Sequence, residues 1–229
     1  MGSNITLNTE ARYVPVDDEE NVSIIPGADS YEQGVEQVHK ASSLVYYNQG
    51  SYSSVPFCSG GNTVANSGCG AASFAMAAST FSNPSYNPAV VGSWFCQNYS
   101  SLANGGLNED AVTTSATLSH FGLKGEVLFD KTGRGSYNYG TSYNPSEGNA
   151  MLKAVQSGKS VMFGMPGHWS ILGPNPACSA NQFYLYNPGR VTSNGCYTPE
   201  ALFQYTYNYS NRCTNTGWCG WDVAIALYS

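Results

Sequence analysis

The run from Cys69 to Phe81 reads CGAASFAMAASTF and contains no charged side chain. It is introduced by glycines, made of alanine, small hydroxyl residues and a few large apolar groups, and stopped by Asn83-Pro84. Alanine and methionine favour the helix, and a helix with no charged face has to be buried. The rest of the chain therefore has to wrap an element that starts at Cys69.

The flanking sequence supplies the wrapping. Asn87-Pro88 offers an N-cap and a proline at the first helical position for a second helix through Trp94 and Cys96, and Asn108 opens a third that ends at Gly122. A strand is expected at 123 to 129, a Gly/Tyr/Asn-rich loop at about 131 to 145, and a helix at about 146 to 157 closed by Gly158. The pattern then changes. Runs at 161 to 165, 169 to 172, 182 to 186 and 223 to 228 are β-branched and aromatic and separated by Gly, Pro and Asn, with a helix capped by Thr198-Pro199 before the last. The class read from this order is α+β: a helical N-terminal half carrying the Cys69 helix, packed on a C-terminal antiparallel β-sheet.

Residues 1 to 44 differ from the rest of the chain. Asp17-Asp18-Glu19-Glu20 and Pro26-Gly27 carry no clear period, and Ser30 with Gln33 forms a capping-box pattern for a short helix to about Ala41. This stretch is read as an extended leader or pro-segment, and 45 to 229 as one domain. Met1-Gly2-Ser3 reads as an added start, so that an export signal would have been removed ahead of it. No window approaches the roughly 18 apolar residues of a membrane span.

Only 10% of the 229 residues are charged, and the net charge is -6. Nine Lys plus Arg, never clustered, give no footprint for nucleic acid or anionic lipid. Seven cysteines in such a chain point to an oxidising compartment, secreted or at the cell surface, with an even number paired and one left over. Sequence proximity pairs Cys178 with Cys196 and Cys213 with Cys219, which leaves Cys58 for Cys96 and Cys69 unpaired.

A cysteine acts as a nucleophile only as the thiolate, which a helix N-terminus and a neighbouring imidazolium favour. Cys69 stands at such a terminus, and Gly68 and Gly70 are read as clearing its sulfur for an approaching carbonyl. Of the three histidines, His39 falls in the leader and His120 ends a helix before a glycine cap, where it complements the dipole. His168 begins a strand after Pro166-Gly167 and is the expected base. Asn187 ends the next strand, so that an antiparallel turn brings it to the same sheet end as His168, in the place of the group that orients the imidazole. Seen alone, Asn187 equally suits an Asx turn before Pro188.

The order of cysteine on a buried helix, then histidine and asparagine on adjacent strands, resembles the papain-like cysteine peptidases. More narrowly, Tyr46-Tyr47-Asn48-Gln49, Ser67-Gly68-Cys69-Gly70-Ala71-Ala72-Ser73-Phe74-Ala75-Met76, Gly167-His168-Trp169 and Tyr186-Asn187-Pro188-Gly189 resemble the peptidases related to the double-glycine leader peptidases of bacteriocin exporters. The likeness spans about residues 45 to 190. It implies a papain-like fold, a catalytic set of Cys69, His168 and Asn187, and Gln49 as the oxyanion donor. Gln49 lies farther from the cysteine than the family's short spacing, and Asn62 and Asn66 remain alternative carboxamides. Ala71 and Ala72 replace the family's proline and threonine, and Asn187 its aspartate.

The function expected is a cysteine peptidase cleaving amide bonds through a thioester, with no cofactor and no metal, acting as a monomer on peptide or protein substrates, cell-wall peptides among them. The alternatives are an inactive, disulfide-stapled binding module of the same fold and a transamidase using the same triad. Paired carboxylates at glycosidase spacing and an HExxH or CxxC metal motif are absent from the sequence.

Overall fold

The computed structural model describes residues 42–58, 60–99, 106–131, 142–165, 167–209 and 220–229. The leader helix expected at 30 to 41, and the proposed Cys213–Cys219 pair, lie outside these residues.

The helix that organises the fold is α2 (Cys69–Phe81), in which every residue except Thr80 is buried. Two of its hydroxyls are satisfied within the helix, Ser79 Oγ donating to Ala75 O at 2.7 Å and Thr80 Oγ1 to Met76 O at 2.6 Å, whereas Ser73 Oγ is buried without a hydrogen bond. A polar side chain can therefore sit in the core without a charged partner. A short turn of helix, α1 (Val64–Ser67), precedes α2. α3 (Pro88–Asn98) begins where Asn87 Oδ1 accepts from the backbone nitrogens of Ala89 and Val90 at 3.0 and 3.2 Å. The rings of Phe95 and Phe121 meet Phe74 edge-on at 5.3 and 5.1 Å. Each such fully buried ring contributes about 2–3 kcal/mol of apolar burial.

The single helix expected from Asn108 to Gly122 is two, α4 (Glu109–Thr113) and α5 (Ser115–His120). Thr114 between them is extended, with φ -64° and ψ 144°, and its Oγ1 accepts from Thr117 N at 3.1 Å. A hydroxyl able to cap the next turn competes with helix continuation, and here it prevails.

Six strands form one antiparallel sheet: β1 (Lys124–Asp130), β2 (Ser160–Met165), β3 (His168–Gly173), β4 (Phe183–Tyr186), β5 (Gly195–Tyr197) and β6 (Val223–Tyr228), in the order β1-β6-β2-β3-β4-β5. The central strands β2 and β3 are buried on both faces, which explains why they read as near-continuous apolar runs. On one face Met162, Trp169, Ile171, Val223, Ile225 and Leu227 pack with α2. On the other, Phe163, Leu172, Leu185 and Ala224 pack with residues of α6 (Pro145–Gln156) and α7 (Pro199–Tyr209). The sheet is thus covered by helices on both sides, and α6 and α7, from the second half of the chain, form the outer layer. The short strand β5 and α1 had no signal in the sequence pattern.

Two disulfides staple this frame, Cys58–Cys96 across 38 residues and Cys178–Cys196 across 18, the pairs that sequence proximity and elimination indicate. No helix among the described residues is long and apolar enough to cross a membrane.

Candidate active site

The site lies where β3 begins and β4 ends. β2 and β3 form a hairpin in which Met165 pairs with His168, and Gly167 supplies the left-handed residue of the reversal at φ 73°. β3 and β4 pair Ile171 with Tyr186, Leu172 with Leu185 and Gly173 with Tyr184. Continuing that register sets Asn187 opposite Ser170 and Gly189 opposite His168. A Cβ on Gly189 would lie 3.0 Å from His168 Cε1, which shows how closely this loop backs the imidazole.

His168 Nε2 is 2.9 Å from Asn187 Oδ1. The same oxygen accepts from the backbone nitrogens of Gly189 and Arg190 at 2.9 and 3.0 Å, and Asn187 Nδ2 donates to Tyr205 Oη at 2.9 Å. Two backbone N–H donors fix which end of the amide is oxygen. Nε2 of the neutral ring must then be the protonated nitrogen, and Nδ1 is left with the free lone pair. The Asx turn and the contact with the imidazole, two separate readings of Asn187 in the sequence, are made by one atom. Tyr46 Oη donates to Asn187 O at 2.8 Å and ties the N-terminal segment to the same residue.

Cys69 is the only free cysteine among the described residues and is 8% exposed. Its sulfur lies against the backbone of Trp169, the residue after His168. Burial pushes the thiol up from its ordinary value, and hydrogen bonds from the backbone N–H groups of Trp169, Gly70 and Cys69 itself offset only part of that. The helix terminus favours the thiolate as expected, yet the low polarity around it prevails. Burial also takes His168 down to about 4, against the hydrogen bond to Asn187 and with the help of the Arg190 charge. Burial thus disfavours the charged form of each group taken separately.

Gly68 and Gly70 serve packing rather than access. A Cβ on Gly68 would lie 2.6 Å from Val64 O, and one on Gly70 would lie 2.5 Å from Leu107 Cβ and 3.2 Å from Trp169 Cδ1. Trp169 Nε1 donates to Leu107 O at 2.7 Å, so Leu107 and Trp169 form a wall that only a glycine at position 70 can meet.

Of the three carboxamides considered for the oxyanion, Gln49 alone is placed beside the imidazole loop. It is buried, its backbone nitrogen donates to Pro188 O at 3.0 Å, and its Oε1 is 3.6 Å from the position of a Cβ on Gly189. Gln49 Nε2 donates to Ala65 O at 2.8 Å, and Oε1 is buried without a hydrogen bond. Asn66 is exposed, and its Oδ1 accepts from Thr63 N at 2.8 Å as part of a capping box. The backbone oxygen of Asn62 accepts from Phe57 N at 2.9 Å in a turn joined by a bridge between Pro56 and Thr63.

Two residues at the site carried no signal in the sequence. Tyr209, at the end of α7, stacks on His168 with centroids 5.2 Å apart and planes 17° from parallel. The Arg190 guanidinium stands over the Tyr209 ring at 4.5 Å. Among the described residues no group of three or more His, Cys, Asp or Glu could hold a metal ion. No protein-family model matches the chain, nor does any curated protein or solved structure.

Proposed function

We propose that this protein is a papain-like cysteine hydrolase that cleaves peptide bonds, secreted or held at a cell surface. The observation that carries this reading is the fixed tautomer of His168: with Nε2–H given to Asn187 Oδ1, the basic nitrogen is Nδ1, and a free thiol at a helix N-terminus lies against the next residue. In the reaction Nδ1 takes the Cys69 proton as the sulfur attacks the substrate carbonyl. The imidazolium then protonates the leaving amine, and a thioester remains. Water, deprotonated by the same nitrogen, releases the acid and restores the thiol; an amine in place of water makes the outcome transamidation.

Because burial disfavours thiolate and imidazolium separately, the two charges are expected to appear together, and substrate that excludes water strengthens their attraction. Developing negative charge on the carbonyl oxygen would meet the Cys69 N–H and the second Nε2 hydrogen of Gln49. The two disulfides support an oxidising compartment.

The suppressed ionisation of both partners also favours one rival, a binding module that keeps the fold without the chemistry. Wild type and Cys69→Ala should be compared on a peptide library and on purified cell-wall peptides. Hydrolysis by the wild type and none by the variant is expected. Cleavage that survives the substitution, or folded wild type that cleaves nothing, overturns the proposal.

A further inference from the structure

Arg190 occupies an unusual place for a basic residue in this chain. Lys and Arg together number nine in 229 residues. Arg190 is exposed, and it lies beside the imidazole loop rather than on a remote face. Its backbone nitrogen is committed to Asn187 Oδ1, which anchors its Cα close to the strand end. Its guanidinium stands over Tyr209, which in turn stacks on His168. Lys131 and Lys159, by contrast, each form an ion pair, with Glu147 and Glu126 at 2.9 Å. Among the described residues no carboxylate lies within ion-pair distance of Arg190.

A guanidinium placed over an aromatic ring keeps N–H donors for another partner, and its fork fits a carboxylate with two parallel hydrogen bonds. The contact with the ring also reduces the rotamer entropy that an exposed arginine loses on pairing. With the anchor beside His168, such a carboxylate would belong to whatever is bound against the imidazole. Resting on the proposed hydrolase reading, we propose that Arg190 is a specificity residue that selects peptide substrates with a carboxylate close to the scissile bond. The group is either an acidic side chain or the C-terminal carboxylate of a short peptide.

A bound carboxylate has a second consequence. The Arg190 charge disfavours the imidazolium, and pairing it with an anion removes that influence when Nδ1 has to take up a proton. The preference should then be visible in kcat as well as in KM.

The test uses full-length wild type, Arg190→Gln and Arg190→Lys on quenched-fluorescence peptides in matched pairs, Asp against Asn and Glu against Gln at each position near the cut, with free and with amidated C-termini. The ratio of kcat/KM within a pair is the readout, because a general loss of structure or activity moves both members alike. Wild type should favour the acidic member, or the free C-terminus, by about fivefold, in keeping with an exposed but pre-oriented ion pair. The ratio should fall to about one in Arg190→Gln and be partly kept in Arg190→Lys. The wild-type ratio should also shrink at high salt. Equal rates on all pairs in wild type, or an unchanged ratio in Arg190→Gln, overturns the inference while leaving Cys69-dependent cleavage intact. Loss of Cys69 dependence instead removes the reading on which it rests.

Discussion

Asn187 Oδ1 sits 2.9 Å from His168 Nε2 while accepting from the backbone nitrogens of Gly189 and Arg190, so one oxygen both closes a turn and holds the imidazole. Asn187→Ala would leave those two N–H groups and Tyr205 Oη without this partner. A loss of about 1–3 kcal/mol in urea unfolding is expected, together with a 10- to 100-fold fall in kcat/KM. Asn187→Asp keeps the accepting oxygen and adds a negative charge beside the ring. It should raise the His168 pKa and move the acid limb of the rate profile to higher pH.

Stability should depend on pH through His168. The folded value is about 4 against an ordinary 6.5, so between these values the unfolded chain binds a proton that the folded protein does not. The contribution is present in full above about pH 6.5 and is lost as pH falls towards 4, amounting to about 3 kcal/mol. Urea unfolding of wild type and His168→Gln at pH 7 and pH 4 checks this. The wild type should lose about 3 kcal/mol more than the variant over that interval.

Alkylation of native Cys69 should be slow near neutral pH and still rising above about pH 8.5, the ordinary thiol range, because burial pushes the thiol up. Rates of iodoacetamide labelling, followed by intact mass across a pH series, provide the measurement. A plateau reached below pH 7 would contradict a thiol pushed up by burial.

Two glycine substitutions should separate stability from activity. Gly70→Ala forces a methyl to within 2.5 Å of Leu107 Cβ, and a destabilisation of about 1–3 kcal/mol is expected. Gly189→Ala places a methyl on an exposed loop 3.0 Å from His168 Cε1. Its melting temperature should change little, whereas kcat should fall as the ring shifts by a few tenths of an ångström.

Removing either disulfide should lower stability, and Cys58–Cys96 more than Cys178–Cys196, since the loops span 38 and 18 residues. Chain-entropy reasoning gives about 4 and about 3 kcal/mol. Paired Cys→Ser variants compared by denaturant midpoint would test the order.

Much of this architecture is legible because local signals agree. The uncharged run at 69–81, the Asn87-Pro88 cap and the β-branched runs at 161–165 and 223–228 each match one element. The break between α4 and α5 is not legible, since nothing in a hydrophobic period reveals that the Thr114 hydroxyl will cap a new turn. The strand β5, three residues long, exists through pairing with β4, and a run so short has no period of its own.

The sequence alone determined the buried helix headed by Cys69, the pairing of Cys58 with Cys96 and Cys178 with Cys196, and the chain order that brings His168 and Asn187 to one sheet end. These follow from composition, spacing and the alternation of strands, which are local properties. Only the tertiary structure decided that Gly68 and Gly70 receive neighbours instead of exposing the sulfur, that Tyr209 stacks on the imidazole, and that Arg190 stands over Tyr209. It also decided that burial pushes the thiol up and the imidazole down. Those outcomes depend on which groups from distant segments share one low-polarity space, and a charge takes its energy from that space rather than from its neighbours in the chain.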